Sequence, residues 1–200
     1  MNNNSNNPNL KEKLKQALES TVRVISDDFD QKGENKNKKN SKKFELFEFD
    51  NLNTKNDFIK ARANSDSAAL KKKFSSEEIY KKNLPINSSC RSLYSTAEKI
   101  RYELLGSQML KGIEKNLKDN YDQQISIKRK DQLNTKEDVS VSEAFELYML
   151  KKFHNIKLNS LTNKMLNFWE KDFDQVIEKH MVFLKENLEN QDKYSSKFSE

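Results

Sequence analysis

One cysteine, two histidines and three glycines are all that this 200-residue chain contains of those types. A single thiol, Cys90, can form neither an intrachain disulfide nor a cysteine-based zinc site. His154 and His180 lack nearby cysteine and the paired spacing of a metal site, so both read as structural. No run reaches the ~18 consecutive apolar residues that a spanning helix needs. The Asn-rich start, Met1 to Asn9, has no apolar segment of the kind a secretory signal carries, and a cytoplasmic chain is expected. A Gly-x-x-x-x-Gly-Lys-Ser/Thr phosphate loop is missing too, so the chain is not expected to bind ATP. Nor does any nucleic-acid signature accompany the net charge of +6. A Lys-rich solvated surface is therefore expected, in preference to a phosphate-binding one.

What is present suits one polar helical domain. Charged and hydrophobic residues each make up 34%, and mean hydropathy is −1.01. Twelve Phe, six Tyr and one Trp supply large core-filling side chains. A chain of this length buries roughly 70% of its unfolded surface on folding.

Residues 1–9 read as a disordered polar tail. Leu10, Leu14, Ala17, Leu18, Thr21, Val22 and Ile25 then recur at helical spacing. The Lys/Asn run Gln31–Lys43 reads as a loop, and Phe44-Glu45-Leu46-Phe47-Glu48-Phe49 as a strand. A strand needs a partner for its backbone, and Val24–Phe29 is the available one, giving a small two-stranded β-ribbon. Thr54 and Asp57 form a capping box opening a second helix, with Phe58, Ala61, Ala68, Ala69 and Phe74 facing the core. Lys71–Lys73 and Lys81–Lys82 flank Glu77–Glu78, a solvated face of mixed charge.

After Pro85, with Ser88 or Ser89 as cap, one long third helix is expected. Leu93, Ala97, Ile100 and Leu104 make one stripe; Leu105, Met109, Ile113 and Leu117 continue on an adjacent face. Asp122 to Asp138 reads as a polar connector. Ser140 and Glu143 open a helix through Phe153 with Phe145, Tyr148 and Met149 inside. Leu161–Trp169 is a short helix. Phe173, Val176, Ile177, His180, Phe183, Leu184 and Leu188 mark the last one. The expected fold is mainly α, with about six helices spanning 10–200 and the β-ribbon near the N-terminus.

Three pairs of residues bear on chemistry. Glu98 and Arg101, three apart, can pair along a helix, and a partly buried pair would fix helix register more than it adds stability. Glu98 and Glu103 are five apart and point to separate faces, so they do not converge as an acid/base pair. Gly106 and Gly112 each cost a helix about 1 kcal/mol against alanine, which suggests close approach of a neighbouring backbone at both.

The stretch Ala61-Arg62-Ala63-Asn64-Ser65-Asp66-Ser67-Ala68-Ala69-Leu70, followed by Pro85 and then Glu98, Arg101, Glu103, Gly106, Gly112, Asn116 and Leu117, resembles the N-terminal region of the CobT family, the T subunit of aerobic cobaltochelatase. The register from Ala61 to Leu117 needs no gap. Weaker likeness runs through Ser142-Glu143-Ala144, Phe168-Trp169 and Asn190-Gln191. The resemblance implies a subunit of the ATP-dependent machine that inserts cobalt into a corrin ring. Its implied partners are an AAA+ ATPase subunit and a large corrin-binding subunit. Cobalt, ATP and Mg would be handled by the whole complex and none by this chain, which would dock and transmit motion. Arg62, Asp66, Ser67, Leu70, Pro85, Glu98, Arg101, Glu103, Gly106, Gly112 and Asn116 are then family-motif and candidate interface residues, none of them catalytic or metal-ligating.

Two departures stand out. The family segment after Ala-Leu-Arg is histidine-rich, whereas Phe74, Ser75 and Tyr80 stand here. The full subunit continues into a von Willebrand A-type domain with a metal site, and its strand-borne Asp-x-Ser-x-Ser motif is missing. Asp66-Ser67 only superficially resembles that motif's start, since Asp66 falls mid-helix. An N-terminal fragment or a shortened paralogue is the expectation. A stand-alone helical interaction module is the alternative reading, and a basic nucleic-acid-binding domain the third.

Overall fold

The computed structural model describes residues 8–27, 54–126 and 135–198. All regular structure among them is helical: α1 (Pro8–Ile25), α2 (Lys55–Phe74), α3 (Glu77–Lys82), α4 (Ser88–Met109), α5 (Lys111–Ser126), α6 (Val141–Phe153), α7 (Ser160–Asn167), α8 (Glu170–Ile177), α9 (Met181–Glu186) and α10 (Gln191–Ser196), with 3-10 turns at Lys136–Asp138 and Glu178–His180. The first helix starts at Pro8, inside the expected tail; proline suits this position because the first helical N–H has no intrahelical acceptor anyway. The β-ribbon is not supported. Its first half overlaps the last turn of α1, where Val24 and Ile25 are helical, and Phe44–Phe49 lies outside the described residues.

The expected long third helix is two helices. Leu110 adopts extended backbone (φ −140°, ψ 116°) between α4 and α5, and its N–H donates to the Gly106 carbonyl at 2.9 Å. Its own carbonyl accepts from the Ile113 and Glu114 N–H groups, which starts α5. The shift of the apolar stripe near Leu105 marks this fold-back. Ile113, Leu117, Tyr121 and Ile125 carry the stripe of α5 into the expected connector, all buried.

The last expected helix is likewise broken into α8, a 3-10 turn and α9, and Val176, expected inside, is 62% exposed. Caps explain several starts. Thr54 and Asp57 form the expected box, with Thr54 N–H to Asp57 Oδ2 at 2.7 Å and Asp57 N–H to Thr54 Oγ1 at 3.2 Å. Asn87 caps α4 in place of Ser88 or Ser89, accepting from the Ser89 N–H at 2.8 Å.

Helices α2, α4 and α5 pack on one another; α1 lies against α2, and α6 lies against α4. Their shared core holds Ala69, Leu70, Ala97, Ile100 and Leu117, with Ala144, Phe145 and Tyr148 from α6. Phe173 joins α8 to this layer through ring contacts with Phe145 at 5.6 Å and Tyr148 at 5.3 Å. Phe58, expected to face the core, is 39% exposed.

Candidate functional site

The motif residues of α2, α4 and α5 meet in the interior, and they meet through polar side chains. Spaced one turn apart on α2, Ser67 and Leu70 both face α4. Ser67 Oγ donates to Glu103 Oε1 at 2.5 Å, and the Tyr121 hydroxyl of α5 donates to Glu103 Oε2. Asn116 Nδ2 donates to Asp66 Oδ2 at 2.7 Å. Glu103 is 1% exposed and Asp66 2%, so both carboxyl groups sit where water cannot solvate a charge.

Burial accordingly pushes both up from the ordinary carboxylate range. At Asp66 the Asn116 hydrogen bond and the Arg62 charge oppose this; at Glu103 the Lys99 charge and the Ser67 and Tyr121 hydroxyls do. Burial and the Glu103 charge also push the Tyr121 hydroxyl well up. Arg62 itself is exposed.

Gly106 seats Leu70. A Cβ at Gly106 would lie 2.3 Å from Leu70 Cδ2 and 2.9 Å from its Cγ, so helix α4 approaches α2 only because this position is glycine. Gly112 has no such role: it lies in the first turn of α5, and a Cβ there meets nothing within 4 Å. The expected second close approach is therefore wrong, because the chain folds back just before that residue.

Glu98 and Arg101 form a second, separate network, buried to 3% and 0% exposure. The Arg101 guanidinium donates from Nε to Glu98 Oε1 at 3.3 Å, from Nη1 to the Leu188 carbonyl at 3.0 Å, and from Nη2 to the Phe74 carbonyl at 2.7 Å and Ser75 Oγ at 3.1 Å. Glu98 also accepts from Ser195 Oγ at 2.7 Å and Gln191 Nε2 at 3.0 Å. A desolvated ion pair survives only with its remaining donors and acceptors matched, and α10 supplies that matching. The positions where the family resemblance implies histidine lie beside it: Phe74 and Ser75 bond Arg101, and the Tyr80 ring stacks on Tyr94 at 4.8 Å. Pro85 is buried in the turn before α4, where Arg91 Nε donates to its carbonyl at 2.9 Å.

The two motif carboxylates of α4, Glu98 and Glu103, thus belong to different networks, as their spacing on one helix requires. An open cleft of about 690 Å³ borders the Arg101 network, lined by Lys73–Ser76 and Ile79 on one side and Glu189–Asp192 on the other. Among the described residues no group of three His, Cys, Asp or Glu is placed to hold a metal. His154, expected in a polar turn, is largely buried beside Tyr121 with ring centroids 6.0 Å apart, and its Nε2 has no hydrogen-bond partner. Tyr121, Ser195 and Lys99 were not legible as site residues. Only Tyr121 left a signal, by extending the Ile113–Leu117 stripe one further turn.

A family model described as cobalamin biosynthesis protein CobT matches residues 8–200. The chain belongs to the CobT family. Comparison with curated proteins and with solved structures returns no match. The family match spans the residues of both networks, and it supports a role in cobalamin biosynthesis. No helix among the described residues is long and apolar enough to cross a membrane.

Proposed function

We propose that this CobT-family chain is a subunit, or the N-terminal part of one, of the ATP-dependent cobaltochelatase that inserts cobalt into the corrin ring. It docks and transmits motion, and it performs no bond-making step. Its partners are the AAA+ ATPase subunit and the large corrin-binding subunit; cobalt and corrin are substrates of the complex, and ATP and Mg are bound by other subunits. The observation that supports this best is the disposition of the motif residues. Except for the exposed Arg62 and Gly112, they are wholly or partly buried; Asp66–Asn116, Ser67–Glu103 and Leu70–Gly106 are matched across helices, and Glu98–Arg101 along α4. Such an arrangement stiffens a body that relays displacement between packed elements.

The test is co-migration. The purified chain, mixed with the ATPase and large subunits in the presence of ATP and Mg, is expected to elute with them on size exclusion. Elution as a free chain under every nucleotide condition would overturn the assignment. Isothermal calorimetry of the chain alone is expected to show no micromolar binding of ATP or Co²⁺ at physiological salt. Heat of binding at that level would move part of the chemistry onto this chain.

A further inference from the structure

The chain from Leu188 to Phe198 closes over α4 in a way that the docking role does not account for. Helices α3 and α10 are six residues each, far too short to hold together alone. No residue of α3 is buried, and its main packing partner is α10. The bonds joining the two are polar. The Gln191 side chain pairs with the Ser76 backbone in both directions, accepting from its N–H at 2.7 Å and donating to its carbonyl at 3.3 Å. Asp192 accepts from Lys82 Nζ at 2.8 Å and Asn83 Nδ2 at 2.8 Å. A row of rings, Tyr80, Tyr94, Phe198 and Tyr194, runs from α3 across α4 to α10, with neighbouring centroids 4.8, 6.4 and 5.6 Å apart.

Beneath this lid lies the Glu98–Arg101 pair. Three of the groups that satisfy it, the Leu188 carbonyl, Gln191 Nε2 and Ser195 Oγ, come from the C-terminal segment. The Tyr194 hydroxyl adds a bond to the Ala97 carbonyl at 3.0 Å. The open cleft already separates the α2–α3 corner from the α9–α10 link on its outer side.

We infer that Leu188–Phe198 is a latch: it and α3 open and close as one unit over the buried Glu98–Arg101 pair, while α2 and α5 stay folded. The closed state satisfies the ion pair. The open state uncovers a face of α4 carrying Tyr94, Ala97, Glu98 and Arg101, and frees α3 at the same moment because Gln191 and Asp192 hold it. The two segments are more than a hundred positions apart in sequence, so their coupling is a specific consequence of this geometry and not of chain continuity. The inference concerns this chain alone and does not rest on the chelatase assembly.

Hydrogen exchange by mass spectrometry on the full chain tests it. Gln191→Ala removes both Ser76 bonds and one Glu98 bond; Asp192→Ala removes only the exposed contact to Lys82 and the partly buried one to Asn83, and leaves the ion pair matched. Each is expected to speed amide exchange in Glu77–Lys82 together with Gln191–Ser196, by about tenfold or more for Gln191→Ala and less for Asp192→Ala, with α2 and α5 unchanged. Faster exchange in α10 without α3, equal loss of protection in α2 and α5, or no change in either variant would each overturn the latch.

Discussion

At the scale of single residues, the two described glycines separate cleanly. Gly106→Ala gains about 1 kcal/mol of helix propensity but drives a methyl into Leu70, which is fully buried and cannot retreat. Overpacking of about 1–3 kcal/mol outweighs that gain, so the variant is expected to melt below the parent. Gly112→Ala meets open space and is expected to melt at or above it. Paired thermal melts check both signs, and a Gly106→Ala variant as stable as the parent would remove the seat. The interior titrating groups also divide by sign. Burial holds His154 down from 6.5 to about 4. The unfolded chain therefore takes up this proton first as pH falls, and the stability His154 contributes is present above pH 6.5 and lost toward pH 4. That contribution is roughly 3 kcal/mol at full extent. Glu103 and Asp66 are raised, so the unfolded chain ionises first and their contribution runs the other way, falling as pH rises out of the carboxylate range. His154→Phe is expected to flatten the loss of stability between pH 7 and 5 in urea titrations, and an unchanged slope would contradict the burial of His154.

At the scale of elements, the Glu98–Arg101 pair stitches α4 to the end of α2 and to α10. Glu98→Ala leaves a buried guanidinium without its counter-charge and is expected to cost about 3–5 kcal/mol by denaturant unfolding. Replacing both residues with leucine and methionine is expected to recover only part of this, since the Phe74 and Leu188 carbonyls lose their donor. Full recovery would mean that those carbonyl bonds contribute nothing. How much of this was legible varied by element. Helix existence was, because Ala69, then Ala97 and Ile100, then Phe145 and Tyr148 were expected to face the core from three separate helices and are buried there. The pairing of Glu98 with Arg101 was also legible, since three residues on a helix put two side chains on one face. The break at Leu110 was not, for no proline or cap residue announces it, and only the drift of the stripe from Ile100 to Leu105 records the turn. The partners of Glu103 and Glu98 were beyond reach for a different reason. Tyr121, Gln191 and Ser195 come from distant segments, and local patterning carries no information about which helix faces which.

At the scale of the whole molecule, the inward-facing motif residues cross-brace α2, α4 and α5 into one helical body, within the residues 8–200 that the family model matches. On the proposed function, such a body would hold the ATPase and corrin-binding subunits in register. Reaction at Glu103 is disfavoured physically: its carboxyl is buried and accepts two hydroxyl donors. The most direct measurement is cobalt incorporation into the corrin by the reconstituted three-component complex, with the chain omitted, with the parent chain, and with folded Glu103→Gln. If the chain is a docking subunit without chemistry of its own, omission abolishes incorporation and Glu103→Gln retains the parent rate within about twofold. Undiminished incorporation without the chain would contradict this, as would a fall of about a hundredfold or more in a Glu103→Gln variant that still co-migrates with its partners.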